Sequence, residues 1–329
     1  MHHSIARRIA TAATAALALT GTAVATAVPA GAASYNVIVQ PDQGITPIYN
    51  LINSATSSLD LTVYELVDTT AEQDLAALES SGVTVRVILD SRKKTTNQAA
   101  CTYLAGKGVG VAWSSSTYYY THEKSFVIDG TELVVMSGNL TSQYYSADRN
   151  YSVTDTADAA AFETVSNADY TGATVTPSDA DHLVWSPTDA QSRLLALING
   201  ATSSLYIEAQ EMGYATVVNA LVAAANRGVA VKVVMTNSSD TYTTQFDTLT
   251  AAGVQVSTYA DTDALYIHAK AIVADYGTSA MKVYVGSQNF SSTSLNSNRE
   301  LGIILTSTVV ANKVEPVIAS DFTGGTVWS

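Results

Sequence analysis

Leu51-Ile52-Asn53-Ser54-Ala55-Thr56-Ser57-Ser58-Leu59 returns 146 residues later as Leu197-Ile198-Asn199-Gly200-Ala201-Thr202-Ser203-Ser204-Leu205. The same offset carries Gly82-Val83-Thr84-Val85-Arg86-Val87-Ile88 onto Gly228-Val229-Ala230-Val231-Lys232-Val233-Val234, Glu65 onto Glu211 and His122 onto His268. One nonapeptide can match by chance, but an offset held over more than 70 residues is a duplication. Each copy reads as βαβ units. Apolar residues at helical spacing (Ile48, Leu51, Ile52, Ala55) lead into an extended run, Leu59 to Leu66, and a second helix around Ala71–Leu78 stops at Gly82 before the β-branched run Val83–Leu89. The second copy repeats this with helices near Ala190–Ala201 and Ala215–Arg227 and strands near Leu205–Glu208 and Val229–Met235. Such alternation predicts an α/β fold with a largely parallel, twisted sheet in each half and helices on both faces. The join is expected in the Thr171–Asp181 stretch, giving halves of 33–178 and 179–329 after a leader over 1–32.

Near the end of each half stands the same pattern, His122-Glu123-Lys124-Ser125-Phe126-Val127-Ile128-Asp129 and His268-Ala269-Lys270-Ala271-Ile272-Val273-Ala274-Asp275. In an extended segment residues two apart share a face, so His and Lys project together. Downstream lie Ser137-Gly138-Asn139 and Gly286-Ser287-Gln288-Asn289, small and amide residues suited to close approach of an oxyanion. A lone histidine in a strand is ordinarily a satisfied core residue. His182, which has no counterpart, is read that way, whereas the repeated His-Lys pair is read as functional.

These residues carry a resemblance to the phospholipase D superfamily, whose signature is H-x-K-x-x-x-x-D followed by G-S-x-N. It covers both repeats. The resemblance implies tandem α/β/α sandwiches related by a pseudo-twofold axis, with both motifs meeting in one metal-independent site. No cofactor is implied. Met136 departs from the glycine usual in the family.

Chemistry on the same residues agrees. Phosphodiester cleavage without a metal needs a nucleophile, a proton for the leaving alkoxide and fixed positive charge at the phosphoryl oxygens. One neutral imidazole attacks phosphorus, the other protonates the leaving group, Lys124 and Lys270 supply charge, and Asn139 and Asn289 add donors. Ser137, Ser287 and Tyr120 are expected at the substrate. Eleven residues past Asn289 lies Glu300, and eleven past Asn139 lies Asn150, where the family commonly has Glu. A carboxylate raises an imidazole's pKa, so Glu300 is expected to keep His268 charged as the general acid. Asn150 is then expected to orient a neutral, nucleophilic His122, with Asp148 as the other candidate carboxylate. Asp129 and Asp275 are read as structural, tying down backbone near the sheet end. Glu65 and Glu211 are left between catalysis and buried pairing across the halves.

The remaining composition narrows the setting. Of 329 residues, 47% are hydrophobic and 14% charged, enough for two cores of about 150 residues each and unlike a disordered chain. Arg7-Arg8, an apolar stretch and Ala30-Gly31-Ala32 read as a secretory leader, so the mature protein is expected to be soluble, extracellular and monomeric. Cys101 is alone, which excludes an internal disulfide and a thiolate zinc site. The net charge of −13 repels polyanions at long range. Eighteen tyrosines against five phenylalanines, with Tyr118-Tyr119-Tyr120 directly before His122 and Tyr144-Tyr145 after Asn139, suit a wet interface, a choline-type cation or a stacked base. Three readings follow. The first is a phospholipase D that cleaves a glycerophospholipid such as phosphatidylcholine at a membrane or micelle surface. The second is a metal-independent extracellular nuclease, and the third a noncatalytic binding module. Acidity favours lipid.

Overall fold

The computed structural model describes residues 33–178 and 181–329, and each half builds one sheet, seven strands of the first half joined by Tyr266–Ile267 of the second, and eight strands of the second half. The expected leader lies outside the described residues, and the expected boundary at 178/179 adjoins the two that are not described. In the first sheet the strand order is Tyr35–Gln40, Asp148–Asp155, Glu132–Met136, Lys124–Ile128, Ser58–Val63, Thr84–Leu89, Gly110–Trp113. In the second it is Leu183–Ser186, Glu300–Leu305, Lys282–Gly286, Lys270–Ala274, Ser204–Ala209, Ala230–Thr236, Gln255–Tyr259, with Thr326–Val327 added at the edge. The orders match strand for strand, as the duplication requires.

The sheets are mixed. Parallel pairing in the first runs through Ser58–Val63, Thr84–Leu89 and Gly110–Trp113, the strands joined by helices Thr69–Ser80 and Lys94–Gly106. The other strands of that order pair antiparallel, so the expected parallel character belongs to the βαβ side of each sheet. The cause is connection length. Lys124–Ile128 passes to Glu132–Met136 through a tight turn with positive φ at Asp129 and Gly130, and a turn that short allows only an antiparallel neighbour.

Helices Ala190–Gly200 and Ala215–Asn226 lie where apolar periodicity places them, and Thr69–Ser80 begins on Asp68, whose carboxylate accepts from the amides of Thr70 and Ala71 at 2.9 and 3.2 Å. The strand expected over 59–66 instead breaks after Val63. The Tyr64 amide donates to Glu123 O and the Leu66 amide to Asn97 Oδ1, which frees Tyr64 and Glu65 to face outward from the sheet end.

Each half has an outer core under its own helices, Ile48, Leu75, Val87 and Leu104 in one and Leu194, Leu221, Val233 and Phe246 in the other. A third core is shared. Val135, Val153 and Phe162 of the first half pack with Trp185, Val283, Ile303 and Ile318 of the second. Crossed contacts lock this seam. Thr121 bridges to Arg299, and Tyr266–Ile267 pairs in parallel with Asp148–Arg149. Arg149 holds Asp321 with Nε–Oδ2 at 2.6 Å and Nη2–Oδ1 at 3.0 Å, and Arg299 holds Asp169 with Nη2–Oδ1 at 2.9 Å. Each arginine belongs to one half and its carboxylate to the other.

Candidate active site

His122 and His268 sit at the mouths of the two motif strands, at the seam. The anchoring of those strands explains the sequence that repeats. The Asp129 carboxylate accepts from the amides of Thr56, Ser57 and Ser58 at 3.0, 2.7 and 3.0 Å and from the hydroxyls of Thr56 and Ser57. Asp275 does the same with Thr202, Ser203 and Ser204 at 2.9, 2.6 and 3.2 Å. Partial burial raises the Asp275 pKa, but the amides of Ser203 and Thr202 outweigh it and hold it down to about 2. The Thr-Ser-Ser of the nonapeptide is thus the cradle for the motif aspartate, which lies far from the histidine end.

At that end the partners cross. His122 Nδ1 lies 2.8 Å from Glu300 Oε2, and His268 Nδ1 lies 2.9 Å from Asn150 Oδ1. The expectation that Glu300 attends His268 and Asn150 attends His122 is therefore overturned. Each motif histidine is held by the opposite half, because the strands that begin at Asp148 and Glu300 reach across the seam through the Tyr266–Ile267 and Thr121 bridges. Glu300, fully buried, is also bonded by the Ser294 hydroxyl and by Asn298 Nδ2 at 2.8 Å. Asn150 Oδ1 takes a second bond from Ser137 Oγ at 2.8 Å. With both Nδ1 atoms engaged, Nε2 of His122 is left for chemistry, and Nε2 of His268 meets Lys270 Nζ at 3.5 Å.

Both histidines line one cavity of about 480 Å³ with Tyr64, Glu65, Asn139, Tyr144, Tyr145, Asp148, Asn150, Glu211, Asp261, Asp263, Tyr266 and Asn289. Lys124 and Lys270 are fully buried behind them, each donating to the carbonyl of its own motif histidine, with Lys270 Nζ also 3.3 Å from His268 Nδ1. Asn139 Oδ1 and Asn289 Oδ1 are buried without a hydrogen-bond partner, polar capacity that a ligand would take up. Asn289 Nδ2 rests on Glu211 Oε1 at 3.0 Å.

Ser137 and Ser287, expected at the substrate, are spent elsewhere. Neither lines the cavity. Besides its bond to Asn150, Ser137 Oγ accepts from the Tyr151 amide at 3.0 Å, and Ser287 Oγ accepts from the Leu301 amide at 3.2 Å. Tyr120 lines a smaller adjoining groove with Tyr64, Tyr119, His122 and Asn298. Glu65 and Glu211 both face the main cavity. Glu65 pairs at 2.7 Å with Lys93 of its own half, so neither forms the cross-half pair considered above. His182 is satisfied by Asp158 at 2.8 Å but lies half-exposed on the surface rather than in the core. Met136 is buried in the outer core of its half, away from the cavity. At its counterpart Gly286 a Cβ would lie 2.6 Å from the Gly302 Cα, from Tyr284 Oη and from Gln288 Oε1. The first half has Val134 and Gly138 in place of those two side chains.

Burial sets the protonation of the site. Burial, aided by Lys124, pushes His122 down to about 4 against the pull of Glu300. Burial and then Lys270 push His268 well below its ordinary value, and burial brings Lys270 down to about 7. Burial alone would raise Glu300, but His122 and Lys124 hold it below the usual carboxylate range. Burial raises Asp148 to about 6. An anionic phosphoryl group entering here compensates the lysines and lifts His268 and Lys270 together. Among the described residues no group of three or more His, Cys, Asp or Glu is placed to hold a metal ion.

The model of the family described as cardiolipin synthase, PLD-like domain, matches residues 48–167 and again 194–322. This chain belongs to that family. That description places the family within the phospholipase D superfamily. Phosphatidylserine synthase of Haemophilus influenzae Rd KW20 superposes with a TM-score of 0.68 at 12% identity, over 89% of this chain and 87% of that one. The polyphosphate kinase of Porphyromonas gingivalis also gives 0.68 at 12% identity, over 88% of this chain and 50% of the kinase. The chain spans about half the kinase's length, and both likenesses are of fold. No curated protein matches the sequence.

Several residues of this phospholipase D-like site escape the motif. The Tyr64 ring meets the His122 ring edge-on at 4.6 Å, with Lys93 and Lys124 over it at 4.9 and 5.1 Å. The signal for Tyr64 was its place beside the repeated Glu65. Tyr266, 6.5 Å from the His268 ring, is the repeat of Tyr120 and was findable from the offset. Asp90, whose Oδ2 takes the Thr121 amide at 2.6 Å, had no such mark, since its role is to seat the backbone just before His122.

Proposed function

We propose that the chain is an exported phospholipase D-type enzyme that hydrolyses glycerophospholipids such as phosphatidylcholine to phosphatidate and free alcohol through a phosphohistidine on His122. The crossed partners support this division of labour. When Nε2 of His122 bonds to phosphorus the ring becomes cationic while Nδ1 keeps its proton, and Glu300 stabilises that developing charge. His268 does the reverse. It gives its Nε2 proton to the leaving oxygen and loses charge, so a neutral partner such as Asn150 serves it better than a carboxylate would. Lys124 and Lys270 offset the phosphoryl charge. In the second step His268 takes a proton from water, whose oxygen bonds to phosphorus as the bond to His122 breaks. An alcohol in place of that water gives transfer.

The observation that carries the substrate reading is the cavity wall. Glu65, Asp148, Glu211, Asp261 and Asp263 stand among Tyr64, Tyr144, Tyr145 and Tyr266, chemistry that holds a cationic alcohol and repels a polyanionic strand. Asp148 and Tyr266 lie on the His268 side, where the leaving group departs. The test offers purified protein, with chelator, phosphatidylcholine vesicles and single-stranded DNA in parallel. Choline release with intact DNA is expected. DNA loss without choline release would make it a nuclease.

A further inference from the structure

Among the described residues the large apolar side chains that stand well exposed are Val67, Tyr119, Tyr144, Val309 and Val327. Three of them, Val67, Tyr119 and Tyr144, at 43%, 48% and 47% exposure, gather on one rim of the catalytic cleft. Tyr144 lines the main cavity and Tyr119 the adjoining groove. Val67 pairs with Thr141, itself on the cavity wall, three residues before Tyr144.

The rim is continuous. The Leu66 amide donates to Asn97 Oδ1 at 3.0 Å, which fastens the Val67 loop to helix Lys94–Gly106. At the start of that helix Lys94 lies over the Trp113 ring at 5.4 Å, and Arg92 lies over the Tyr119 ring at 4.7 Å. Neither Arg92 nor Lys94 makes an ion pair among the described residues, in a chain of net charge −13. All these residues come from the first half. The second half supplies exposed Asp261 and Asp263 to the cavity wall. Apolar and aromatic groups beside free cations, near a pair of carboxylates, match the layered chemistry of a zwitterionic headgroup region. The overall negative charge disfavours a strongly anionic surface.

We propose that this rim docks the enzyme on a zwitterionic lipid surface. Val67, Tyr119 and Tyr144 enter the headgroup layer, Arg92 and Lys94 meet lipid phosphates, and Asp261 and Asp263 face ammonium groups. The proposal deepens the lipid reading above and rests on it.

The test is sedimentation of the purified protein with sucrose-loaded phosphatidylcholine vesicles, alongside turnover of soluble bis(p-nitrophenyl) phosphate. Val67→Glu and the double variant Arg92→Glu/Lys94→Glu are each expected to bind vesicles about tenfold more weakly or worse, with turnover of the soluble diester unchanged. Wild-type protein that does not sediment, or variants that sediment like wild type, would overturn the proposal. If Val67→Glu also loses soluble turnover, Val67→Ser decides, and wild-type vesicle binding by that variant overturns it. Sedimentation without choline release would leave this face standing and remove the lipid substrate. Choline release by a chain that does not sediment would do the opposite.

Discussion

Glu300 is the residue on which the division of labour turns. Its carboxylate is buried, held by Ser294 and Asn298, and faces the ring proposed to gain positive charge. Glu300→Gln keeps the shape and removes the charge. It is expected to lower kcat toward a choline ester by about 10²- to 10⁴-fold with little change in KM, by the logic of a carboxylate that steadies a catalytic imidazolium. A loss below tenfold would mean that Glu300 only orients the ring. The sequence reading had this pair the wrong way round for a definable reason. Glu300 and Asn150 each follow the motif of their own half, and an offset repeats positions without saying which half's histidine a side chain will meet. The cross-seam bridges decide that, through backbone bonds such as His122 N to Arg299 O at 2.9 Å that leave no mark in residue type.

At the scale of elements, the helices and the parallel strands were legible because both are written in apolar periodicity. The break after Val63 was not, because it depends on Asn97 and Glu123 capturing two amides from elsewhere in the chain. The antiparallel side was signalled only by Asp129-Gly130, a pair that favours a hairpin turn. The clamp between Asp129 and Thr56-Ser57-Ser58 was present twice over in the repeat, yet its meaning appears only once the turn folds the aspartate back. What joins the halves was wholly hidden. The Arg149–Asp321 and Arg299–Asp169 pairs cross the seam, each beside a further buried carboxyl: Glu208 near the first and Glu123 near the second, with burial raising Glu123 to about 8. Removing one partner strands the other in a low-dielectric site. Arg149→Leu is expected to cost about 3–5 kcal/mol in chemical denaturation, and Arg149→Met/Asp321→Leu to recover most of it. Equal stability of the single and double variants would show that the pair does not hold the seam.

Across the whole molecule, the duplication brings two similar motifs to one cavity and then makes them different. One histidine faces a carboxylate and the other an amide, and the asymmetry should appear in the pH profile. Bis(p-nitrophenyl) phosphate stays a monoanion between pH 3 and 9 and its leaving group needs no proton from His268, so limbs of kcat/KM report the other free-enzyme groups. His122 must be neutral to attack. With its pKa lowered to about 4, activity is absent below that and rises as pH climbs through it. Lys270 must be charged to hold the phosphoryl group. With its pKa lowered to about 7, it carries charge below that, and activity falls as pH rises through about 7. The profile is expected to be a bell with its acid limb near 4 and its alkaline limb near 7. An alkaline limb near 10 would show Lys270 titrating like an exposed lysine and would contradict the desolvated site.

The most direct measurement is of the intermediate. His268→Asn removes the proton donor but not the nucleophile, and p-nitrophenolate needs no proton to leave. Incubated with bis(p-nitrophenyl) phosphate and quenched, that variant is expected to carry a p-nitrophenyl phosphoryl group on the peptide containing His122, read by mass spectrometry. Label on residue 268 of a His122→Asn variant, with none on His122 in His268→Asn, would reverse the roles. No label in either variant would contradict a phosphohistidine altogether.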